Sequence, residues 1–106
     1  MPREPFTGHL ELLLLAALRT RPMHGYAIIE YVRDASSGQF AYAEGTIYPA
    51  LRRLEDDGLL GSRWNEVDGR RRRVYELSAE GEKALAGHRR EWERFTSGVE
   101  AVLEHG

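Results

Sequence analysis

The tightest constraint on the fold of this chain is the stretch EGTIYPALRRLEDDGLL, Glu44 to Leu60. At a period of 3.6 residues it sets Ile47, Leu51 and Leu54 on one apolar stripe, with Ala50 beside them. Tyr48, Arg52 and Glu55 form a second stripe, and Gly45, Thr46, Pro49 and Arg53 complete the outward surface. One face requires a core; the other offers hydroxyls and guanidinium groups to something outside. Gly58 ends the helix, because the left-handed position after a last turn suits glycine. Pro49 admits two placements. In a helix starting at Gly45 it deprives a second-turn carbonyl of its partner. With Thr46 as N-cap it falls at the third helical position, where a missing N–H costs nothing. Either way it marks the start of the helix, the end that meets base edges when such a helix reads DNA.

Upstream, residues 1–8, with Pro2 and Pro5, predict a loose arm, and a first helix should begin after Thr7 or Gly8 and run to about Arg19. Its core LELLLLAAL is apolar nearly all the way round. A small domain has one inside, so this helix predicts a second body against it, a partner subunit. MHGYAIIEYVRDASSG predicts a second helix with Ile28, Ile29 and Val32 on its inner face. Gly25 near its start permits close approach of a neighbouring backbone, and His24 reads as a buried or capping residue. SSGQFAYA is the loop to the third helix. Three helices with short connections, the third amphipathic and arginine-bearing, make a helix-turn-helix.

After Gly58 the period changes to two. Residues 59–66 and 71–77 read as strands, with Trp64, Val74, Tyr75 and Leu77 as β-formers. Between them Val67-Asp68-Gly69-Arg70 carries an Asp-Gly hairpin signal. Arg70, Arg71, Arg72 and Arg73 follow in succession, and alternation sends Arg70 and Arg72 to one face, Arg71 and Arg73 to the other. A charged edge that blocks aggregation needs fewer arginines than this; their planar forks suit phosphate oxygens. Ser78 is placed as an N-cap, with Glu80 and Glu82 at the positive end of a last helix running to about Glu104. In it Leu85, His88, Trp92, Phe95, Val99 and Val102 recur at spacings of three and four, a heptad seam imperfect at His88. Gly87 and Gly98 weaken this helix in isolation, so it requires docking. Both terminal helices predict a homodimer.

At 106 residues the chain suits one domain. Its net charge of -2 does not point to nucleic acid, so any DNA contact depends on a local concentration of charge. There is no cysteine, hence no disulfide or thiolate metal site. His9, His24, His88 and His105 are scattered, and no nucleophile has a neighbouring base, which predicts no metal, no cofactor and no catalysis. The apolar run Leu12 to Leu18 is far below the ~18 residues of a membrane span. No secretory pattern opens the chain, and a cytoplasmic protein is expected.

Helix, helix, recognition helix, two-stranded wing and long last helix make a fold that is mostly α with a small β-hairpin. The expected division is a winged helix-turn-helix over residues 1–78 and a C-terminal dimerisation helix over 79–106. The segments LLLAALRTRPMHGYAIIEYV, EGTIYPALRRLEDDGLL and RRRVYELSAEGEKAL closely resemble successive signatures of the PadR family of bacterial transcriptional regulators. A single helix after the wing resembles the family's short subclass. The resemblance implies dimeric repressors that bind partly palindromic double-stranded DNA and release it on a chemical signal. Thr46, Tyr48 and Pro49 match the start of the family's recognition helix, Arg52 and Arg53 its basic outer positions, and Arg70, Arg71, Arg72 and Arg73 its wing. In some short members a tryptophan pair at the dimer centre sandwiches flat aromatic drugs. Trp92 holds the matching place, and Leu12, Leu15, Arg89, Thr96 and Val99 would line the same cavity, implying a flat aromatic or hydrophobic small-molecule effector. The alternative is a winged-helix protein-interaction module that binds no nucleic acid; the net charge agrees with it and the arginine run argues against it.

Overall fold

In the computed structural model, which describes residues 5–105 and the side chains of residues 9–105, the element order is α1 (Pro5–Thr20), β1 (Met23–His24), α2 (Gly25–Ala35), α3 (Glu44–Asp56), β2 (Leu60–Val67), β3 (Arg70–Leu77) and α4 (Ala79–His105). Helix α1 starts at Pro5, earlier than the expected boundary, and a proline is well suited to a first helical position. Residues 1–4 of the expected arm lie outside the described residues.

Helix α1 is the axis of the core. Its Leu10, Leu14, Leu15, Ala17 and Leu18 are buried, and α2, α3, β3 and α4 of the same chain pack around it. Most of the apolar circumference expected to demand a second subunit is therefore covered within the chain. Leu12 and Leu13 stay half-buried.

Three strands form the sheet, in the order β1-β3-β2, one more than the hairpin expected. Met23 and His24, assigned from sequence to the second helix, are extended and pair antiparallel with Tyr75 and Val74. A two-residue strand is too short for alternation to reveal. What selects it is tertiary: buried Met23 sits opposite buried Tyr75 on the core face. The following helix, α2, buries Ile28 and Val32 as its periodicity predicts and leaves Ile29 half-buried.

Helix α3 buries Ile47, Ala50, Leu51 and Leu54, the expected stripe. Its N-cap is Ala43, whose carbonyl accepts from the N–H groups of Thr46 (3.0 Å) and Ile47 (3.1 Å). The helix thus starts ahead of both placements considered for Pro49. The proline lies inside it, and the exposed Gly45 carbonyl lacks the N–H that would have reached it from position 49. At the other end Gly58 takes φ +80°, its N–H donates to the Glu55 carbonyl, and the Leu59 N–H donates to the Leu54 carbonyl, both at 2.9 Å. These two bonds are a Schellman closure, and they turn the chain directly into β2.

Asp68 (φ 54°) and Gly69 (φ 76°) both adopt positive φ, the signature of a tight primed turn. That turn pairs Val67 with Arg70 and carries the register back to Leu60 opposite Leu77. Ser78 then caps α4 as expected: its Oγ accepts from the Gly81 N–H (3.0 Å) and donates to the Gly58 carbonyl (2.7 Å). The first turns of α4 bury Leu85 in the common core. Beyond them the helix outruns the body. With 27 residues it extends about 40 Å at 1.5 Å per residue, which accounts for an envelope of 55 × 28 × 27 Å.

Candidate nucleic-acid interface

The outward face of α3 follows from its inward one. Turning 100° per residue from the buried stripe puts Gly45, Pro49, Arg52 and Asp56 along the outermost line. Tyr48 lies on one flank, Thr46 and Arg53 on the other, and all are exposed. The acidic side chains Glu55, Asp56 and Asp57 crowd the C-terminal end, so the face is most receptive to an anion over its N-terminal two-thirds.

Tyr48 is positioned by α2. Its ring packs on the Cα of Gly25, leaving no room for a side chain there. The close approach expected at Gly25 is thus made by an aromatic ring rather than by backbone. Partial burial, then the charge of Glu44, raise the Tyr48 pKa against the opposing effect of Arg72. The phenol therefore remains a neutral hydrogen-bond donor at physiological pH. His24, the N-cap of α2, makes no side-chain capping bond. Burial and the nearby Arg72 guanidinium lower its pKa below the ordinary 6.5, with Asp68 and Glu30 opposing.

The wing arginines separate into different environments. Directly opposed residues share a face, so the pairing of Ser62 with Tyr75, Trp64 with Arg73 and Glu66 with Arg71 puts these six on the side that turns into the core at Tyr75. Arg70 and Arg72 lie on the other face, as alternation predicts. Arg70 is exposed at the tip; Arg72 is half-buried, with Nε enclosed and unpartnered. The Nη2 of Arg73 lies 3.6 Å from a Glu55 carboxylate oxygen, which also accepts the Ser62 hydroxyl hydrogen bond. This cluster ties the wing base to the last turn of α3. Arg71 has no carboxylate partner among the described residues; its guanidinium lies over the Trp64 ring, 5.1 Å from the centroid.

The sequence pattern marks Trp64 only as a β-former and Glu55 only as part of an outward stripe, and it assigns no role to Ser62 or to Arg63, whose Nη1 pairs with Glu76 at 3.1 Å. A signal for Trp64 was present. Counting outward from a two-residue Asp-Gly turn puts it opposite Arg73. Nothing in the one-dimensional pattern brings Glu55 to Ser62.

The residues assigned to an effector cavity divide. Leu12, Arg89 and Trp92 line a trough of about 490 Å³ between α1 and α4, together with Ala16, Arg19, Thr20 and Leu85. Leu15 does not belong to it. It is 0% exposed and belongs to the buried core cluster, whereas Leu12 is only partly buried at the edge of that core. Thr96 is likewise absent from the trough lining; its hydroxyl lies 3.1 Å from the carbonyl oxygens of both Trp92 and Glu93, within its own helix. Val99 lies farther along α4 on an open apolar face with Phe95, Val102 and Leu103. Trp92 meets His9 edge-on at 4.8 Å and Phe95 at 5.9 Å. Among the described residues no group of His, Asp or Glu could hold a metal ion, and no helix is long and apolar enough to cross a membrane.

Comparison with known proteins agrees with this architecture. The family model described as the transcriptional regulator PadR-like family matches residues 14–87. The transcriptional regulator Rv3488 of Mycobacterium tuberculosis is 39% identical over 95 residues, covering 85% of this chain and 89% of its own length. A PadR family regulator from Eggerthella lenta superposes with a TM-score of 0.81 at 33% identity, covering 93% of this chain and 85% of its own. The smu.1704 protein of Streptococcus mutans gives a TM-score of 0.83 at 30% identity, covering 98% and 94%. With the recognition helix, wing and long last helix all in the family's order, the chain belongs to the PadR-like family of transcriptional regulators, DNA-binding proteins and not enzymes.

Proposed function

We propose that the protein is a ligand-responsive repressor that binds an inverted-repeat operator as a homodimer. The observation that carries this reading is the far half of α4. Trp92, Phe95, Val99, Val102 and Leu103 leave between 38% and 72% of their surface exposed, along a stripe that the described residues leave largely uncovered. An apolar stripe at heptad spacing on a projecting helix is satisfied by a second copy of itself. Two copies joined there present two α3 helices related by a twofold axis, which suits half-sites about one helical turn apart. In this reading residues 1–78 bind DNA and residues 79–106 dimerise, and the protein works in the cytoplasm where the chromosome is.

Thr46, Tyr48, Pro49, Arg52 and Arg53 face the major groove, and the wing arginines supply much of the affinity through phosphates. The effector is a flat aromatic or hydrophobic molecule held in the trough between α1 and α4. Trp92 in its lining supports a planar ligand, and Arg19 and Arg89, the latter 3.6 Å from Glu93, favour a neutral or acidic one over a cationic one. Because α4 carries both the trough and the dimer stripe, occupancy shifts the separation of the two reading heads, provided the ligand prefers one arrangement. Selection of bound sequences from random duplex DNA, with sedimentation of the complex, tests the proposal. Recovery of a twofold-symmetric site bound by two chains is expected. Recovery of a single half-site bound by one chain would reject it.

A further inference from the structure

Trp64 is 54% exposed, a large apolar surface on an element otherwise rich in charge. A wing strand needs no indole there to hold its register, since the Asp-Gly turn already sets it. What the indole does in the structure is hold cations. Arg71 and Arg73 both lie over its ring, with guanidinium carbons 5.1 and 5.5 Å from the centroid. Two like charges share one ring because they differ in their other partners. The Glu55 carboxylate lies 3.6 Å from Arg73 and balances it, so Arg73 acts as a brace between wing and α3. Arg71 is exposed and lies over the ring, with no carboxylate partner among the described residues. A guanidinium held over an aromatic face and paired with no carboxylate leaves its N–H donors available to a phosphate.

We propose that Trp64 is a DNA-contacting residue, forming with Arg71 a plate that lies on the sugar–phosphate backbone beside each half-site. Arg71 donates to a phosphate while the exposed part of the indole packs on the adjacent deoxyribose. The plate contributes affinity without reading sequence, because neither contact involves a base edge. This deepens the DNA-binding reading and rests on it.

The test uses the full chain labelled with 5-fluorotryptophan and a fluorescein-labelled duplex recovered by selection. Anisotropy of the duplex reports complex formation independently of the tryptophans. On saturation the ¹⁹F resonance of Trp64, identified by its loss in Trp64→Phe, shifts and loses its solvent isotope effect. Trp64→Ala binds about tenfold more weakly, and its salt slope falls by about one because the Arg71 phosphate contact goes with the indole. Trp64→Leu, which keeps apolar bulk but has no π face, loses as much; Trp64→Phe recovers most of the affinity. A complex seen by anisotropy in which the Trp64 resonance stays solvent-exposed and Trp64→Ala binds as tightly as the natural chain would overturn the plate alone. Absence of any complex would overturn the DNA reading and the plate with it.

Discussion

The ring of Tyr48 lies so close to the Cα of Gly25 that a β-carbon added at position 25 would stand 3.0 Å from the phenolic oxygen and 2.8 Å from the carbon bearing it. The start of α2 and the start of α3 are thereby locked together by one aromatic ring on the surface read as DNA-facing. Two sequence motifs separated by nineteen residues, HGY and TIYP, are one contact in space.

Gly25→Ala should therefore displace Tyr48 instead of being tolerated as an ordinary helix-start substitution. The expected cost is about 1–3 kcal/mol in urea denaturation, the usual penalty for overpacking, with a fall in DNA affinity. Adding Tyr48→Ser to Gly25→Ala should recover most of the stability, since the clash has lost its partner. Strictly additive effects in the four-protein cycle would show that the two residues are not coupled.

Glu55→Gln keeps a group able to accept the Ser62 hydroxyl and removes the charge beside Arg73. The pair is partly exposed, so the stability change should be under about 1 kcal/mol. Binding to nonspecific duplex should tighten, and the slope of log affinity against log salt should steepen by up to about one as Arg73 becomes available to a phosphate. A slope identical to that of the natural chain would mean that Arg73 is held back by something other than Glu55.

Phe95→Asp and Val102→Asp place a charge on the exposed stripe of α4. Within a single chain such changes are nearly neutral. If the stripe is a dimer seam, each variant should sediment as a monomer at micromolar concentration while retaining its far-ultraviolet circular dichroism, and operator affinity should fall more than tenfold as half-sites bind singly. A dimer that survives both changes would relocate the interface.

His24 carries a pH signature. Its folded-state pKa is lowered, so the unfolded chain takes up the proton first as pH falls from 6.5. The stability associated with neutral His24 is present above that value and is lost as pH drops through the lower folded pKa. The melting temperature should decline across this window, and His24→Asn should flatten the decline. Parallel curves for the two proteins would assign the acid sensitivity elsewhere.

Much of this molecule is legible without coordinates because its signals are local. The stripe Ile47, Ala50, Leu51 and Leu54, the Gly58 stop, the Asp-Gly turn and the Ser78 cap each involve residues within one or two turns of each other, and the structure places them as expected. The exposure of Thr46, Arg52 and Arg53 follows from the same periodicity. Errors fall where a local pattern has two spatial solutions. Pro49 fitted two helix starts, yet α3 begins earlier than either, with the Ala43 carbonyl taking the first turn's N–H groups.

The amino-acid sequence by itself determined which surfaces must be covered: hydrophobic period and turn chemistry act over a few residues and leave little choice. Only the tertiary structure decided what covers them. It wrapped α1 in its own chain, drew Leu15 into the core and away from the trough, and added Met23–His24 to the sheet. It also sorted four chemically identical arginines into an exposed tip at Arg70, a half-buried Arg72, a brace at Arg73 and an Arg71 set over the Trp64 ring. The physical reason is that a guanidinium's role depends on what lies within a few ångströms of it. Those neighbours, Glu55 and Trp64, come from other elements that only folding brings near.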